Sequence, residues 1–568
     1  MKTKLALLLL FSTIATIAQA QDQTAACHIS GPTKPATAPA RLFEGAGKVH
    51  MPITTRSSEA QAFFNQGLAL LHSFWGYEAD RSFERAAQLD PECAMAQWGI
   101  AMAAVNEARR DSAIKRAKEL APKATDRERL YIAAVEARYQ GETATVQNNA
   151  FLGATEAYKN ALRRLVSMYS DDLEAKLFLA LASLNGYEHD GSPRPGTVEA
   201  IALCQLVLAK APNHLAAHHY LIHAFESGKR AKDGEQHADV YGSLAPKVGH
   251  AVHMPGHIYV HVDRWDDAAR VFENSAEIDR AYIRDNHESS DHTAGPYSHN
   301  LHFLAMVYGY QGRYRDALRI SRELLDVARK PGEEKSRAAL EGWLSTMRLL
   351  VRFEKWDDIL DGKTLPDATP FQVLDGWRLY ARGLARLEKG DLPGARADLE
   401  SLEKESAWLR EQSPKQKDLP LSRRQLQLVS GLKVAPFELR GRILAREGKA
   451  DEAIATLRRA IEEEIKLGYS EPPIYPNPTE EVAGKTALSL GRWGDAEEFF
   501  RAAVERDPGS GRALFGLMLS QQGGGWNQQA RESYALFVKA WARADADLSE
   551  MQRARENAIA HGYPSGKK

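Results

Sequence analysis

A pattern of small residues recurs along this chain at fixed spacing, and it constrains the fold more than any other feature. Five residues stand at identical offsets in two distant copies: Gly67, Ala79, Phe83, Ala86 and Pro91, and again Gly484, Ala496, Phe500, Ala503 and Pro508. Three further copies keep most of the pattern and begin at Gly256, Gly383 and Gly441. Small residues let two helices cross closely, and proline ends the second helix. The pattern therefore predicts stacked helix pairs and almost no β structure.

This spacing is that of the tetratricopeptide repeat, so the predicted fold is all-α: a right-handed superhelical solenoid of roughly ten or more helix pairs. A chain of 568 residues is long for one compact core but ordinary for a solenoid. Apolar residues make up 44% and charged residues 26% of the chain, which argues against disorder. The 74 basic residues are balanced by 75 acidic ones, so no nucleic-acid partner is indicated.

The N-terminus has the pattern of a secretory signal. Lys2 and Lys4 form a basic start, residues 5–17 are largely apolar, and Ala18-Gln19-Ala20 is a small-residue cleavage signature. We expect cleavage before Gln21; the alternative is an uncleaved anchor, for which the apolar stretch is short. The mature chain is then predicted to be periplasmic or secreted, with no membrane span after cleavage.

The remaining boundaries follow from repeats and loop-forming residues. The predicted organisation is a signal peptide over 1–20, an extended lead-in over 21–56, N-terminal repeats over 57–212, central His-rich repeats over 213–330 with an insertion at 284–298, C-terminal repeats over 331–548, and a tail over 549–568 that frays. A Pro-rich stretch at 471–478 interrupts the C-terminal repeats. The cysteines at 27, 93 and 204 match no metal motif.

The central repeats carry histidines in register. His219 and His253 are 34 residues apart, and so are His223 and His257. Residues three or four apart share one helix face, and in tetratricopeptide arrays this face of the first helix lines the concave groove. The side chains predicted to share that wall in three successive repeats are His219, His223, Glu226, His250, His253, His257, His299 and His302.

Imidazoles on adjacent packed helices can reach one ion, because side chains one turn apart lie about 5–6 Å from each other. Two nitrogens and a carboxylate are ligand types of zinc and non-haem iron, and imidazole also suits copper. We therefore predict a divalent transition-metal site for zinc, iron or copper built from a subset of the eight. The alternative is a groove whose histidines contact a peptide. Among the other histidines, His72 and His237 are interpreted as packing residues, and His214 and His218 as surface or packing residues. In the insertion, His287, Glu288, Asp291 and His292 form either a lid or a solvated loop.

Several segments resemble a broad family of bacterial tetratricopeptide-repeat proteins with a His-rich central motif. They are the runs His218-His219-Tyr220-Leu221-Ile222-His223, His250-Ala251-Val252-His253-Met254-Pro255-Gly256-His257 and His299-Asn300-Leu301-His302, with Glu471-Pro472-Pro473 and Leu514-Phe515-Gly516-Leu517 further on. The resemblance spans most of residues 60–540. It implies an all-helical repeat fold whose distinctive face carries these histidines, and it implies no reaction.

Three functions remain open from the sequence. The first is an exported metal-site protein that binds a peptide, protein or small molecule in the concave groove. The second is a metal-dependent hydrolase, oxidase or oxygenase that uses the site. The third is a metal-free scaffold for protein–protein interaction. The fold alone favours the scaffold, whereas the register of the histidines favours the other two.

Overall fold

The computed structural model describes residues 40–563, apart from 105, 140–154, 189, 227, 287–296, 331–333, 366–369, 413–420 and 469. The prediction of an all-α repeat fold is confirmed: the described residues form antiparallel helix pairs and no strand, with one isolated bridge between Tyr187 and Pro193. The signal peptide, Cys27 and the four polar residues of the insertion lie outside the described residues. None of the described helices is long and apolar enough to cross a membrane.

The helices of the N-terminal and central repeats are α1 Ser58–His72, α2 Gly76–Leu89, α3 Ala94–Ala103, α4 Glu107–Leu120, α5 Asp126–Tyr139, α6 Glu156–Met168, α7 Leu173–Ser183, α8 Thr197–Lys210, α9 Leu215–Phe225, α10 Ala231–Leu244, α11 Gly249–His253, α12 Pro255–Tyr259, α13 Trp265–Asn286, α14 Tyr297–Tyr310 and α15 Tyr314–Ala328.

The helices of the C-terminal repeats and tail are α16 Arg337–Arg352, α17 Trp356–Leu360, α18 Val373–Glu388, α19 Leu392–Gln412, α20 Arg423–Gly431, α21 Ala435–Arg446, α22 Ala450–Ile465, α23 Thr479–Ser489, α24 Trp493–Arg506, α25 Gly511–Gly523, α26 Asn527–Ala540 and α27 Ser549–His561.

The repeated glycine and phenylalanine form the contact inside a helix pair. A Cβ atom added to Gly67 would lie 2.8 Å from the Phe83 ring, and one added to Gly256 would lie 2.3 Å from the Phe272 ring. The aromatic ring of the second helix therefore packs directly on the backbone of the first helix. Substituting a larger residue would force the pair apart, because a packed core relaxes only partially.

The two ends of the described chain differ from each other. Residues 40–56 contain no helix, and they dock on α1 through bonds such as that from Phe43 N–H to Gln66 Oε1 at 3.0 Å. The tail was expected to fray from residue 549. Instead residues 549–561 form α27, and Ala554, Ala558 and Tyr563 are buried against the preceding helices. Apolar spacing of four residues explains why this helix packs.

The C-terminal helices pack back onto the central repeats, which the repeat pattern alone did not predict. The Trp541 indole N–H donates to the Tyr310 carbonyl at 2.8 Å. The Trp265 indole N–H donates to the Pro508 carbonyl at 2.7 Å. Residues 514–563 accordingly share one continuous apolar core with the N-terminal and central helices. The inner wall of the central repeats is therefore covered by other parts of the chain.

The Pro-rich stretch at 471–478 is part of this cover. It is not helical, as predicted, and its carbonyl groups accept hydrogen bonds from Arg348 on α16 at 3.1 Å for Tyr475 and 3.2 Å for Pro476. Arg424 on α20 donates to the Pro472 carbonyl at 3.2 Å. These bonds hold the start of the stretch, Glu471, against the central histidines.

Candidate metal centre

The eight side chains predicted for the inner wall do face inward, but they do not line an open groove. Each of them is at most 2% exposed. The concave groove predicted to carry these side chains is closed at this position, where Glu471 of the Pro-rich stretch and the rings of Phe74 and Phe303 contact the histidines. A second difference is that the helix carrying His250 to His257 is split into α11 and α12, since Pro255 lacks the N–H that would continue it.

Two groups of three histidines each bring their ring nitrogens together. The first histidine set is His219 and His223 on α9 with His250 on α11, and the second histidine set is His253 on α11 and His257 on α12 with His299 on α14. Within each set, one ring nitrogen from every histidine lies within 4.8 Å of the other two. Each set therefore has the residue types and the proximity of a three-nitrogen metal site.

In the first histidine set, the Nε2 atoms meet at the centre. His219 Nε2 lies 3.1 Å from His223 Nε2 and 3.1 Å from His250 Nε2. The Nδ1 atoms of two rings point away to acceptors: His219 Nδ1 to the His72 carbonyl at 2.6 Å, and His223 Nδ1 to Glu226 Oε1 at 2.9 Å. The His72 carbonyl can only accept a hydrogen bond, so His219 Nδ1 carries the proton and His219 Nε2 presents a lone pair. His223 has the same tautomer when Glu226 is an ionised acceptor.

The second histidine set has the same construction. His253 Nε2 and His257 Nε2 lie 2.6 Å apart. His253 Nδ1 lies 2.8 Å from Asn300 Oδ1, and the Asn300 amide is oriented by its Nδ2 donating to the Phe272 carbonyl at 3.2 Å. His257 Nδ1 donates to the Glu471 carboxylate. The Nε2 lone pairs of His253 and His257 therefore face each other across the set.

The remaining two predicted residues lie beside the sets. Glu226 Oε2 lies 3.5 Å from His257 Nδ1, so the two oxygens of this one carboxylate reach a histidine of each set. Glu226, His257 and Glu471 form a further cluster of potential ligands. His302 is in neither set: its Nδ1 donates to Glu341, and its buried Nε2 has no hydrogen-bond partner among the residues described.

Aromatic rings enclose both sets. The Phe74 ring centroid lies 4.4 Å from His219, 5.3 Å from His223 and 5.6 Å from His250. The Phe303 ring lies 4.7 Å from His257 and 5.0 Å from His299. These contacts leave an apolar environment around the ring nitrogens, in which electrostatic interactions are stronger than in water.

Phe74 occupies a backbone conformation that usually requires glycine. Its φ angle is 55°, and it stands seven residues after Gly67. At the same repeat position, Gly390 and Gly448 also have positive φ. A side chain in the left-handed region costs roughly 1–2 kcal/mol. The conformation belongs to the end of the first helix in a pair, since Asp263 has a φ of 61° at the same repeat position and Trp75 N–H returns to the Leu70 carbonyl at 2.9 Å. In this repeat it places the Phe74 ring over the first histidine set.

Burial dominates the electrostatics of the centre. It lowers the pKa of His253 and of His299 well below the ordinary histidine range, and it lowers the pKa of His257 to about 3. Burial, and secondly the neighbouring Glu471 carboxylate, raises the pKa of Glu226 well above its usual range. Both effects have the same origin: charged forms are costly where water is excluded. A cation bound at the centre would favour neutral imidazoles and ionised carboxylates.

The histidines interpreted as packing residues have such roles in the structure. His72 contacts Tyr220 Oη through Nδ1 and Glu174 Oε2 through Nε2, each at 2.7 Å. His214 Nε2 lies 3.0 Å from Glu174 Oε1. His218 and His237 contact each other through their Nδ1 atoms at 3.1 Å.

Sequence reasoning missed four residues of the centre: Phe74, Asn300, Phe303 and Glu471. Asn300 and Phe303 adjoin predicted ligands on α14, so their helix phase could have indicated them. The signal at Phe74 is a bulky residue at a repeat position that the copies beginning at Gly383, Gly441 and Gly484 fill with glycine. Glu471 begins the Pro-rich stretch and lies 214 residues from His257 along the chain. Nothing in the local sequence around Glu471 indicates that the two side chains are in contact.

The helix pairs and the buried histidines together define an all-α, tetratricopeptide-like protein with a candidate metal centre in its interior. A tetratricopeptide repeat model matches residues 482–547 of the chain. No curated protein matches the sequence.

Solved structures with a similar course of helices share little sequence with this chain. Separase of Saccharomyces cerevisiae, in its complex with securin, has a TM-score of 0.47 and 11% identity over 89% of this chain and 35% of that chain. This chain thus spans about a third of that protein. Yeast Tom70 has a TM-score of 0.29 and 13% identity over 89% of this chain and 95% of its own. The human IFIT1 dimer with m7Gppp-AAAA has a TM-score of 0.32 and 13% identity, covering 86% and 91% of the two chains.

Proposed function

We propose that this chain is a metal-binding tetratricopeptide protein that holds one transition-metal ion at each histidine set. The observation that carries the proposal is the convergence of lone pairs. In each set two histidines commit their Nδ1 proton to a fixed acceptor, and their Nε2 atoms lie only 3.1 Å or 2.6 Å apart. Two lone pairs at such distances repel each other, whereas a cation between them turns the repulsion into two coordinate bonds.

The spacing suits coordination. In the first set, two nitrogens 3.1 Å apart and each bonded at about 2.0–2.1 Å subtend an angle of roughly 100° at the ion, close to tetrahedral. In the second set the nitrogens lie 2.6 Å apart, which gives roughly 80°, so these two rings would move apart by about half an ångström on binding an ion. The acceptors behind the rings, Glu226, Glu471, Asn300 and the His72 carbonyl, would orient the ligating imidazoles, as outer hydrogen bonds do in known metal sites. Zinc, iron and copper all accept imidazole nitrogen.

The bound ions would join layers of the solenoid. The first set connects α9 with α11, and the second connects α11, α12 and α14. A protein, peptide or small-molecule partner would then bind on an exposed part of the repeat surface, because the histidines themselves are buried. Tetratricopeptide arrays offer extended surfaces of this kind, and metal would act on partner binding by fixing the curvature of the central layers.

A metalloenzyme is the second candidate, and the number of ligands favours it. Three histidines per ion leave a coordination position open, as in catalytic zinc sites, whereas structural zinc sites are usually closed by four protein ligands. Activity would require a route for substrate past Phe74 or Phe303. A metal-free interaction scaffold is the third candidate, and it fails if purified protein contains stoichiometric metal.

Elemental analysis of untagged, full-length protein tests the proposal. We expect two equivalents of transition metal in the wild type and none in His219→Ala/His253→Ala, with unchanged helical circular dichroism. His237→Ala is the matched control, since His237 is buried and its ring contacts His218 and Gln236, which lie outside the sets. Absence of metal in wild-type protein, even after incubation with zinc, iron and copper salts, would exclude the proposal.

Export and family membership belong to the same proposal. The basic start, apolar stretch and Ala18-Gln19-Ala20 signature support cleavage before Gln21 and a periplasmic or secreted location. The His-rich segments support membership of the bacterial tetratricopeptide family that they resemble. Intact mass of protein from the periplasmic or culture fraction should begin at Gln21; a cytoplasmic product that retains Met1 would contradict export.

A further inference from the structure

We infer that the groove between α8 and α10, which we name the outer groove, binds an extended, uncharged peptide segment of a partner protein. The inference rests on the proposed function for the existence of a partner, and it adds where that partner binds and what chemistry it has. Metal binding is not required for it. Three observations support it: open space between the two helices, the unlike chemistry of the two walls, and hydrogen-bonding groups that match a peptide backbone.

The outer groove lies between the second helices of two successive pairs. Its walls are formed by helices other than those that carry the histidine sets. Its volume is about 790 Å³, within the range of roughly 300–1,000 Å³ that is typical of ligand sites. From Val198 to Gln205 the α8 wall is about 10 Å long, which is the length of about three residues of extended peptide. The space therefore suits a short stretch of peptide.

The wall formed by α8 is aliphatic. Val198, Ile201 and Ala202 line it, and Val198 is 63% exposed. The same groove is lined by the rings of Tyr187 and Phe225, which are stacked with centroids 6.2 Å apart. A single exposed aliphatic side chain is ordinary on a protein surface. Here it shares a concave space with two aromatic rings, where an apolar side chain of a partner would lose more contact with water than on a flat surface.

The wall formed by α10 is polar, but its carboxylates are already paired. The charged side chains that line the groove are Arg230, Lys232, Asp233, Glu235 and Asp239. Arg230 donates to Asp233, and Arg264 Nη1 donates to Glu235 at 3.1 Å and to Asp239 at 2.8 Å. Lys232 is exposed, where an ion pair contributes little. A cationic ligand would have to compete with the existing ion pairs, so the groove favours an uncharged one.

His237 provides an oriented hydrogen-bond acceptor in the outer groove. His218 Nε2 lies 2.9 Å from the Pro212 carbonyl, which can only accept, so in the neutral ring His218 Nδ1 has the lone pair. His237 Nδ1 lies 3.1 Å from that atom and donates to it, which leaves His237 Nε2 as an acceptor. Burial lowers the pKa of both imidazoles, so both rings are neutral near pH 7. A peptide N–H is a donor that this acceptor can bind.

Two glutamines face the outer groove from opposite walls, Gln205 on α8 and Gln236 on α10. A carboxamide has a donor and an acceptor side by side, which is the complement of a peptide group. Gln236 Nε2 lies 3.5 Å from His237 Nε2, a weak contact that a peptide N–H can replace. A backbone placed between the two glutamines can pair its N–H and C=O groups while its aliphatic side chains contact α8. We therefore assign an extended peptide to the groove.

The test selects phage-displayed random peptides on the full-length protein and titrates the enriched sequences as synthetic peptides with capped ends. We expect uncharged, aliphatic sequences. Val198→Asp should weaken their binding by about tenfold or more, because it places a carboxylate against an apolar side chain. Leu206→Asp is the matched control, since Leu206 is 56% exposed on the same helix but does not line the groove. His237→Ala, and N-methylation of the peptide backbone, should each weaken binding by about three- to tenfold.

Each outcome bears on a definite claim. If no peptide is enriched above an unrelated control protein, or if Val198→Asp binds the peptides as well as wild type does, the outer groove is not a peptide site. Equal binding of N-methylated peptides, or selection of charged sequences, contradicts the uncharged, extended backbone. Should Val198→Asp fail to fold, Gln205→Ala tests the same wall at an exposed residue. Metal content is measured on the same preparations: protein that binds the peptides but holds no metal would overturn the metal centre and leave the groove intact.

Discussion

Replacing Glu471 by glutamine isolates the electrostatic support of one metal set. Glutamine has the same shape, and its carbonyl oxygen can still accept the proton of His257 Nδ1, so the orientation of the ring is retained. The negative charge is lost. With the carboxylate on Nδ1 and the ion on Nε2 of the same ring, the two charges lie about 6–7 Å apart. Coulomb's law at an effective dielectric constant near 20 gives about 2.5 kcal/mol per unit of ion charge.

Relaxation and the neighbouring Glu226 reduce this value, so we expect Glu471→Gln to weaken binding at the second histidine set by about 10–50-fold, or roughly 1.4–2.3 kcal/mol. The affinity is measured by competition with a chromogenic chelator in the His223→Ala background, in which only the second set is complete. The first set, measured in the His257→Ala background, should be much less affected, because the hydrogen bond of Glu471 is made to His257 of the second set.

Glu174→Gln is the matched control. Glu174 is also a buried carboxylate between two histidines, His72 and His214, but neither ligates an ion in the proposed centre. It should alter stability without changing affinity at the second set. Unchanged affinity in Glu471→Gln, or an equal loss in Glu174→Gln, would refute the assignment of Glu471 as the residue that supports the metal ligand His257.

Three further predictions concern stability. Gly256→Ala places a Cβ atom 2.3 Å from the Phe272 ring and should lower the free energy of unfolding by about 1–3 kcal/mol in denaturant titrations. Gly242→Ala, whose nearest neighbours lie 3.7 Å away, should be neutral or slightly stabilising. Equal effects of the two substitutions would contradict the packing of the Phe272 ring on Gly256. Burial, and secondly His218, lowers the pKa of His237 to about 4, while an unfolded histidine binds its proton near pH 6.5. The free energy of unfolding should therefore fall as the pH drops from about 6.5 to 4. His237→Leu should reduce the slope of unfolding free energy against pH in this range by the equivalent of close to one bound proton. Identical slopes for the two proteins would contradict the lowered pKa of His237. Removing the metal with a chelator should lower the unfolding temperature. An ion present at about a thousand times its dissociation constant adds about 4 kcal/mol to the free energy of unfolding. An unchanged unfolding temperature in protein shown to have lost its metal would contradict a role of the ions in joining layers.

The repeat fold could be predicted from the sequence because it depends on short-range spacing. Gly67 and Phe83 lie within one helix pair, so their offset alone specifies the contact that the structure shows. The same reasoning placed His219 and His223 on one helix face. It also placed His253 and His257 at the equivalent position of the next layer, which the structure confirms. Whether these residues ligate metal stays a prediction.

The enclosure of the centre could not be predicted in this way. Burial of the histidines depends on contacts between residues far apart in sequence, such as Trp541 with Tyr310 and Glu471 with His257. A repeat pattern specifies each layer and its nearest neighbours but not how distant layers meet. The division of eight candidates into two sets, with His302 outside both, likewise depends on side-chain directions that helix spacing does not determine.

Anomalous diffraction from crystals of the untagged protein, recorded above and below the absorption edge of the bound metal, tests the central claim most directly. The account predicts two peaks, each about 2.0–2.1 Å from ring nitrogens of one histidine set. A map without peaks at these positions, in crystals grown with the metal present, would contradict it. Nε2 atoms bridged instead by protons or water would show that the histidines only pack the interior of the solenoid.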